Sequence, residues 1–154
     1  MTKRAYYENG ALECEATVLR CRAMENGFEI LTDVTSIFPE SGGQLSDTGF
    51  IGDAHVTHAR EEGREVWHLC DKAVEAGAKV KIAADAGPRL DHTQQHSGEH
   101  ILSGMASKLF GAKNVGFHMA EDYATIDLDT QLTHEQIKDC LLYTSDAADD
   151  LIGV

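Results

Sequence analysis

Three histidines stand four residues apart in His92-Thr-Gln-Gln-His96-Ser-Gly-Glu-His100, and Ile101, Leu102, Met105 and Leu109 follow at helical spacing. Apolar residues recurring in that way mark one face of a helix. Asp91, with Gln94 three positions on, reads as a capping box. Gly111 after Phe110 supplies a left-handed C-terminal stop. On a helix, residues four apart are neighbours, with Cβ atoms ~5–6 Å apart. At about 100° per residue the histidines form a second stripe beside the apolar one. The helix is therefore expected to lie on a core, with its histidines at the edge of a cleft. Two imidazoles at this spacing can reach one metal ion. The competing reading is a set of surface or capping histidines. Three in register, with a Phe117-His118 pair further on, favour the metal.

The chain has 154 residues, 42% of them apolar, which suits one ordinary globular domain or two small ones. No run of 18 apolar residues occurs, so no transmembrane helix is expected. The first residues, Met-Thr-Lys-Arg-Ala-Tyr-Tyr-Glu, lack the apolar segment of a secretory signal, and a cytoplasmic location is expected. Cys14, Cys21, Cys70 and Cys140 show no CxxC spacing, and free thiols are expected. The net charge of −13 argues against broad nucleic-acid binding, which needs a basic surface. It leaves room for recognition of one RNA end by a local patch. A metal on the histidine face would make that face locally positive.

In chain order, residues 1–87 read as β-rich. Ala16–Cys21 and Phe28–Leu31 form a hairpin pattern around Glu25-Asn-Gly27. A strand is expected to end near Phe38, because Pro39 cannot donate to a ladder. Ser41-Gly42-Gly43-Gln44 is by itself a plain glycine turn, although two glycines also permit close approach by another group. The same triplet in peptide-chain release factors is too short to carry an inference. Asp47-Thr-Gly49 reads as the next turn. Val56–Ala59 and Glu65–Leu69 form a further pair, and Val80–Ala83 closes the set. Several short strands with regular turns suggest a small barrel. His55, His58 and His68 are expected at strand surfaces. Gly87-Pro88-Arg89 marks a boundary. Beyond it come the histidine helix, two strands around Ala120-Glu-Asp122, and a helix capped by Thr133 with Gln136 at its third position. The fold class expected is α+β: a small N-terminal β-barrel over 1–87, then an incomplete α+β domain over 88–139. Residues 140–154 interrupt the pattern of the last helix. They match the translation of a common transposon-derived sequencing adapter, and are expected to be a non-native tail.

Taken together, Phe38-Pro-Glu-Ser-Gly-Gly-Gln-Leu-Ser-Asp-Thr-Gly49 and, some fifty residues later, His96-Ser-Gly-Glu-His100-Ile-Leu resemble the editing region of alanyl-tRNA synthetases. The chain looks closest to their free-standing relatives, the AlaX-type alanyl-tRNA editing proteins. Gly116-Phe-His-Met and Thr125-Ile-Asp-Leu-Asp129 are also similar to that group, and the resemblance covers roughly residues 5–139. It implies a zinc-dependent editing domain, with His96 and His100 as two zinc ligands. In the family a later Cys-x-x-x-His pair completes the site, and this chain has no such pair. It further implies hydrolysis of Ser-tRNA(Ala) or Gly-tRNA(Ala), with mischarged tRNA(Ala) as partner. The synthetase connection also carries an expectation of nucleotide and ATP binding.

Within that reading, Gln95 and Ser97 line the pocket and can hydrogen-bond a serine hydroxyl. Gly42, Gly43 and Gln44 serve the substrate at the mouth of the site. Glu99 and His118 position water or move a proton. His92 is a reserve ligand, more simply a first-turn surface residue. Two rivals remain. His96-Ser-Gly-Glu-His100 also matches the H-x-x-E-H motif of inverted zinc peptidases, with the glutamate as general base. The chain can also be a non-catalytic tRNA-binding or structural fragment.

Overall fold

The computed structural model describes the backbone of residues 1–152 and the side chains of residues 1–143. The chain divides into two compact units, one of residues 1–41 and 45–92, the other of residues 42–44 and 93 onward. The architecture is mixed, as expected, with strands and two α-helices.

The first unit holds β1 (Lys3–Arg4), a 3-10 turn (Ala5–Glu8), β2 (Glu13–Met24), β3 (Gly27–Thr32) and β4 (Val34–Thr35). It continues with β5 (Gly49–Ile51), β6 (Ala54–Glu62), β7 (Glu65–Cys70) and β8 (Lys79–Ala84). Six of these strands pair antiparallel in the order β2-β3-β7-β6-β5-β8, and β8 pairs back onto β2. The expected hairpin is β2 and β3, closed at Met24 and Gly27. Val18, Ile30, Ile51, Val56, Val66 and Ile82 fill the interior. β-Branched side chains suit a pleated surface, and burying each stabilises the unit by about 1.5–3 kcal/mol.

Strand β5 was not legible in the sequence, where Gly49 reads as a turn. Gly49 pairs with both Val56 and Ala84. A Cβ there would lie 2.1 Å from the Ala83 carbonyl oxygen. Only glycine lets β5 approach β8 that closely.

His68 is not a surface residue. It lies on β7 and is 0% exposed. Its Nδ1 is 3.0 Å from the Ile30 carbonyl oxygen, to which it donates, so Nε2 accepts from the Thr35 hydroxyl at 2.8 Å. The neutral ring is thereby satisfied at both nitrogens. Burial pushes its pKa down to about 4. In the unfolded chain the ring takes a proton near pH 6.5, whereas the folded one resists until about 4. Its contribution is therefore complete above pH 6.5 and is lost as pH falls toward 4, by about 3 kcal/mol in all. Urea unfolding from pH 7 to 4 should show that loss, and His68→Gln should flatten it. Equal slopes for the two proteins would refute this account.

Helix α1 (Ala86–Phe110) begins five residues before the expected Asp91. Asp85 precedes it: its carbonyl accepts from Arg89 N at 3.3 Å, and its carboxylate accepts from the Thr48 hydroxyl at 2.6 Å. Pro88 is tolerated in the first turn because its missing N–H has no partner there in any case. What reads as a boundary is thus the first turn of the helix. Arg89 projects from that turn onto the buried Asp47 carboxylate.

In the second unit α1 continues from Thr93, followed by β9 (Asn114–Met119), β10 (Ala124–Leu128) and α2 (His134–Ile152). Strands β9 and β10 are antiparallel. The capping box at Thr133 forms as expected: Thr133 N donates to Gln136 Oε1 at 2.9 Å, and Gln136 N donates to the Thr133 hydroxyl at 3.3 Å. The packed face of α1 differs from the expected stripe. Ile101 and Leu109 are exposed, while Leu102, Met105 and Phe110 pack around Ala106, Ala112 and Cys140. Glu99, Leu102, Ala106 and Phe110 recur at three- and four-residue steps, so one helix face buries them together. Cys140, the first residue of the expected tail, is buried in this cluster; the side chains of 144–154 lie outside the described residues. All four cysteines are free. No helix among the described residues is long and apolar enough to cross a membrane.

Candidate metal centre

His96 and His100 sit one turn apart on α1, and their rings stack with centroids 4.8 Å apart and planes 20° from parallel. The Phe117 ring, from β9, lies 5.5 Å from His96 at 30°. The helix supplies the spacing, and the hairpin supplies an apolar wall.

The Gly42–Gln44 tripeptide belongs to this same unit. Both glycines take positive φ, +59° and +82°. Gly43 cannot be replaced without strain. Its carbonyl accepts from Met119 N at 2.7 Å, and an added Cβ would lie 2.0 Å from the Phe117 carbonyl oxygen. The tripeptide is therefore laid against β9 by backbone contact. That placement buries Gln44 and brings its Oε1 within 2.6 Å of His96 Nδ1. An amide oxygen only accepts, so Nδ1 carries the proton and donates it. The lone pair of His96 is then on Nε2.

Glu99 is only 5% exposed. Its Oε1 accepts from the Ser103 hydroxyl at 2.6 Å and from the Asn114 amide. Its Oε2 stands 3.4 Å from His100 Nδ1. The Asn114 amide also donates to the Ser103 oxygen at 3.1 Å, and Asn114 Oδ1 accepts from Gly116 N at 2.8 Å. A buried carboxylate needs such donors to stay tolerable. The His100 side chain is 73% exposed, which leaves its ring open to a ligand.

Ligand-type atoms of His96, Glu99 and His100 all lie within 4.8 Å of one another. Two imidazoles and a carboxylate suit zinc, and the Nε2 lone pair of His96 is available. The donor set therefore fits the metal. Among the described residues no cysteine joins the group.

Of the other expected site residues, Gln95 is half-buried and Ser97 is exposed. His118 is exposed on β9. Strand alternation turns it to the face opposite Phe117, so it is not gathered with the histidine pair. His92 belongs to the first unit, and its Nδ1 is buried without a hydrogen-bond partner. Sequence reading missed Ser103 and Asn114. Ser103 follows Glu99 by four, a spacing that could have revealed it. Asn114 lies beyond the helix, where no spacing points to it.

A helical histidine pair beside a buried carboxylate, with a glycine-rich segment packed on it, defines a candidate metal-binding site. No protein-family model matches the chain. Individual proteins do. The bovine alanyl-tRNA editing protein Aarsd1 is 32% identical over 151 residues, 89% of this chain and 34% of that protein. The alanyl-tRNA editing protein AlaX-L of Pyrococcus horikoshii is 32% identical over 146 residues, 90% of this chain and 36% of that protein. The alanine–tRNA ligase of Thermofilum pendens is 36% identical over 147 residues, 89% of this chain and 16% of that protein. The chain belongs to the AlaX-type alanyl-tRNA editing proteins. It spans about a third of the length of the editing proteins it matches.

Proposed function

We propose that the chain carries the metal-binding part of a cytoplasmic, zinc-dependent aminoacyl-tRNA deacylase that hydrolyses Ser-tRNA(Ala) or Gly-tRNA(Ala) in trans. The stacked His96–His100 pair, with Gln44 set against it, carries this reading. The named relatives supply the substrate class. The closed strand order of the first unit supports a small barrel at the N-terminal side.

In the reaction, water adds to the aminoacyl ester carbonyl. The bond from that carbonyl carbon to the ribose oxygen breaks. The amino acid leaves as the acid, and the tRNA regains its hydroxyl. His96 and His100 would hold zinc, which polarises an ester carbonyl or acidifies a bound water. Glu99 places a carboxyl oxygen 3.4 Å from His100 Nδ1 and is fixed by Ser103 and Asn114. Its Oε1 already accepts two hydrogen bonds, which disfavours the peptidase reading in which it acts as a free general base. Phe117 shields one side of His96 from water. Gln95 and Ser97, on the same stretch of helix, offer polar groups to a serine hydroxyl. His118 acts, if at all, from the opposite face of β9. Nucleotide and ATP binding enter no step, since hydrolysis consumes only water.

The test is deacylation of Ser-tRNA(Ala) and Gly-tRNA(Ala) beside Ala-tRNA(Ala), with zinc content recorded on the same sample. Selective release of serine or glycine, with about one zinc per chain, is expected. Bound zinc with no release from any of the three would overturn the deacylase reading and favour the non-catalytic fragment. Absence of both zinc and release would overturn the metal reading as well.

A further inference from the structure

We infer that Gln44 is a positioning residue for the metal site, which fixes the tautomer and orientation of His96, rather than a group reserved for the substrate. The inference deepens the zinc reading of the histidine pair and rests on it.

An imidazole can bind a metal only through an unprotonated nitrogen. Which nitrogen carries the proton is set by the hydrogen bond the other makes. His96 Nδ1 lies 2.6 Å from Gln44 Oε1, so the proton is held on Nδ1 and Nε2 is left open. Groups that hold ligating histidines in this manner raise their basicity and orient the ring. Gln44 is buried, which removes competing water from the contact. The Phe117 ring limits the swing of His96 on its other side.

The glycines before Gln44 have a matching purpose. Gly42 and Gly43 adopt left-handed angles, and Gly43 presses its backbone onto the Phe117 carbonyl. The Gly43–Met119 hydrogen bond then fixes the height of the tripeptide along β9. Three consecutive residues thus work as one device: Gly42 turns the chain at a left-handed φ, Gly43 brings the backbone against β9, and Gln44 presents an acceptor to His96. A plain glycine turn requires neither the contact with β9 nor the buried amide. His100 has a counterpart in Glu99 on the helix itself, one residue away. Among the described residues no carboxylate stands in that relation to His96, and the acceptor arrives instead from a distant point in the sequence.

The experiment uses the full chain and Zn2+ alone as the probe. Zinc affinity is measured by competition with a chromophoric chelator for the parent protein, Gln44→Ala, Gln44→Glu and His96→Ala. The tautomer of His96 is read on the metal-free proteins by two-bond 1H–15N NMR, which distinguishes the Nδ1–H from the Nε2–H form. In the parent, His96 is expected as the Nδ1–H form. Gln44→Ala should lose that form and bind zinc about 10–100-fold more weakly. Gln44→Glu keeps an acceptor at the same reach and should restore most of the affinity. Gly43→Ala should behave as Gln44→Ala does, since it displaces the acceptor without removing it.

A parent His96 protonated at Nε2 would overturn the inference outright, as would Gln44→Ala with unchanged tautomer and zinc affinity. In the latter case, a loss confined to His96→Ala would leave the metal reading intact. Equal zinc affinity in all four proteins would instead overturn the metal reading, while the NMR result still decides whether Gln44 sets the tautomer. Thermal melts of each metal-free variant separate these outcomes from unfolding, since a variant that keeps the parent's melting temperature has lost zinc affinity at the site and not by unfolding.

Discussion

Asp47→Ala is expected to cost the protein about 3–5 kcal/mol of stability, because it strands the Arg89 guanidinium in a largely dry site. Asp47 is 0% exposed, and the Arg89 side chain is 13% exposed. Arg89 Nε reaches the two carboxylate oxygens at 3.1 and 2.9 Å, and Nη2 also donates to the Ser36 carbonyl at 2.7 Å. The carboxylate further accepts from Phe38 N at 2.7 Å, so one group ties the Phe38 segment to the first turn of α1. Arg89→Lys should be nearly as damaging as Arg89→Ala, since an ammonium cannot fork across two oxygens. Replacing both partners by apolar residues of similar size, as in Asp47→Leu with Arg89→Met, should recover much of the loss, because no charge is then buried alone. Urea unfolding of the four variants beside the parent provides the measurement. A loss below about 1 kcal/mol for Asp47→Ala would show the pair to be solvated like a surface one.

His96→Ala and His100→Ala are each expected to reduce retained zinc to background, and deacylation with it. Each change removes one of two imidazoles from a site whose third candidate ligand, Glu99, is already engaged by Ser103 and Asn114. A site that loses half its nitrogen ligands cannot hold a tetrahedral metal against water and buffer. Neither ring supports the apolar cluster of the second unit, which is built on Ala106, Ala112 and Cys140. Melting temperature should therefore change little in the metal-free state. Zinc content by atomic emission, after exhaustive dialysis, is the decisive readout. Full zinc content in both variants would remove the metal centre from this face of the helix.

The histidine spacing was legible because helical geometry is local: residues four apart are neighbours whatever the rest of the chain does. The Thr133–Gln136 box was legible for the same reason. The hairpins also followed from alternation and turn residues. Other features misled. Ile101 and Leu109 fit the apolar stripe by periodicity yet are exposed, because periodicity gives a face and packing decides which neighbouring face is covered. Pro88 reads as a break but stands in the first turn of α1. His68 reads as a surface histidine, and it is buried because Thr35 and Ile30 lie where they can satisfy both ring nitrogens.

The sequence by itself determined the helical histidine pair, the strand-rich first part and the family, since spacing, alternation and motif order are properties of the linear chain. Tertiary structure alone decided which partners those residues meet. Gln44 and His96 are 52 residues apart, Asp47 and Arg89 are 42 apart, and Glu99 meets Asn114 across 15. No local periodicity encodes contacts of that range. They arise when Gly43 packs on β9 and when the first turn of α1 places Arg89 over a buried carboxylate. What reads as a glycine turn and a polar residue thus becomes, in three dimensions, a buried acceptor 2.6 Å from His96 Nδ1.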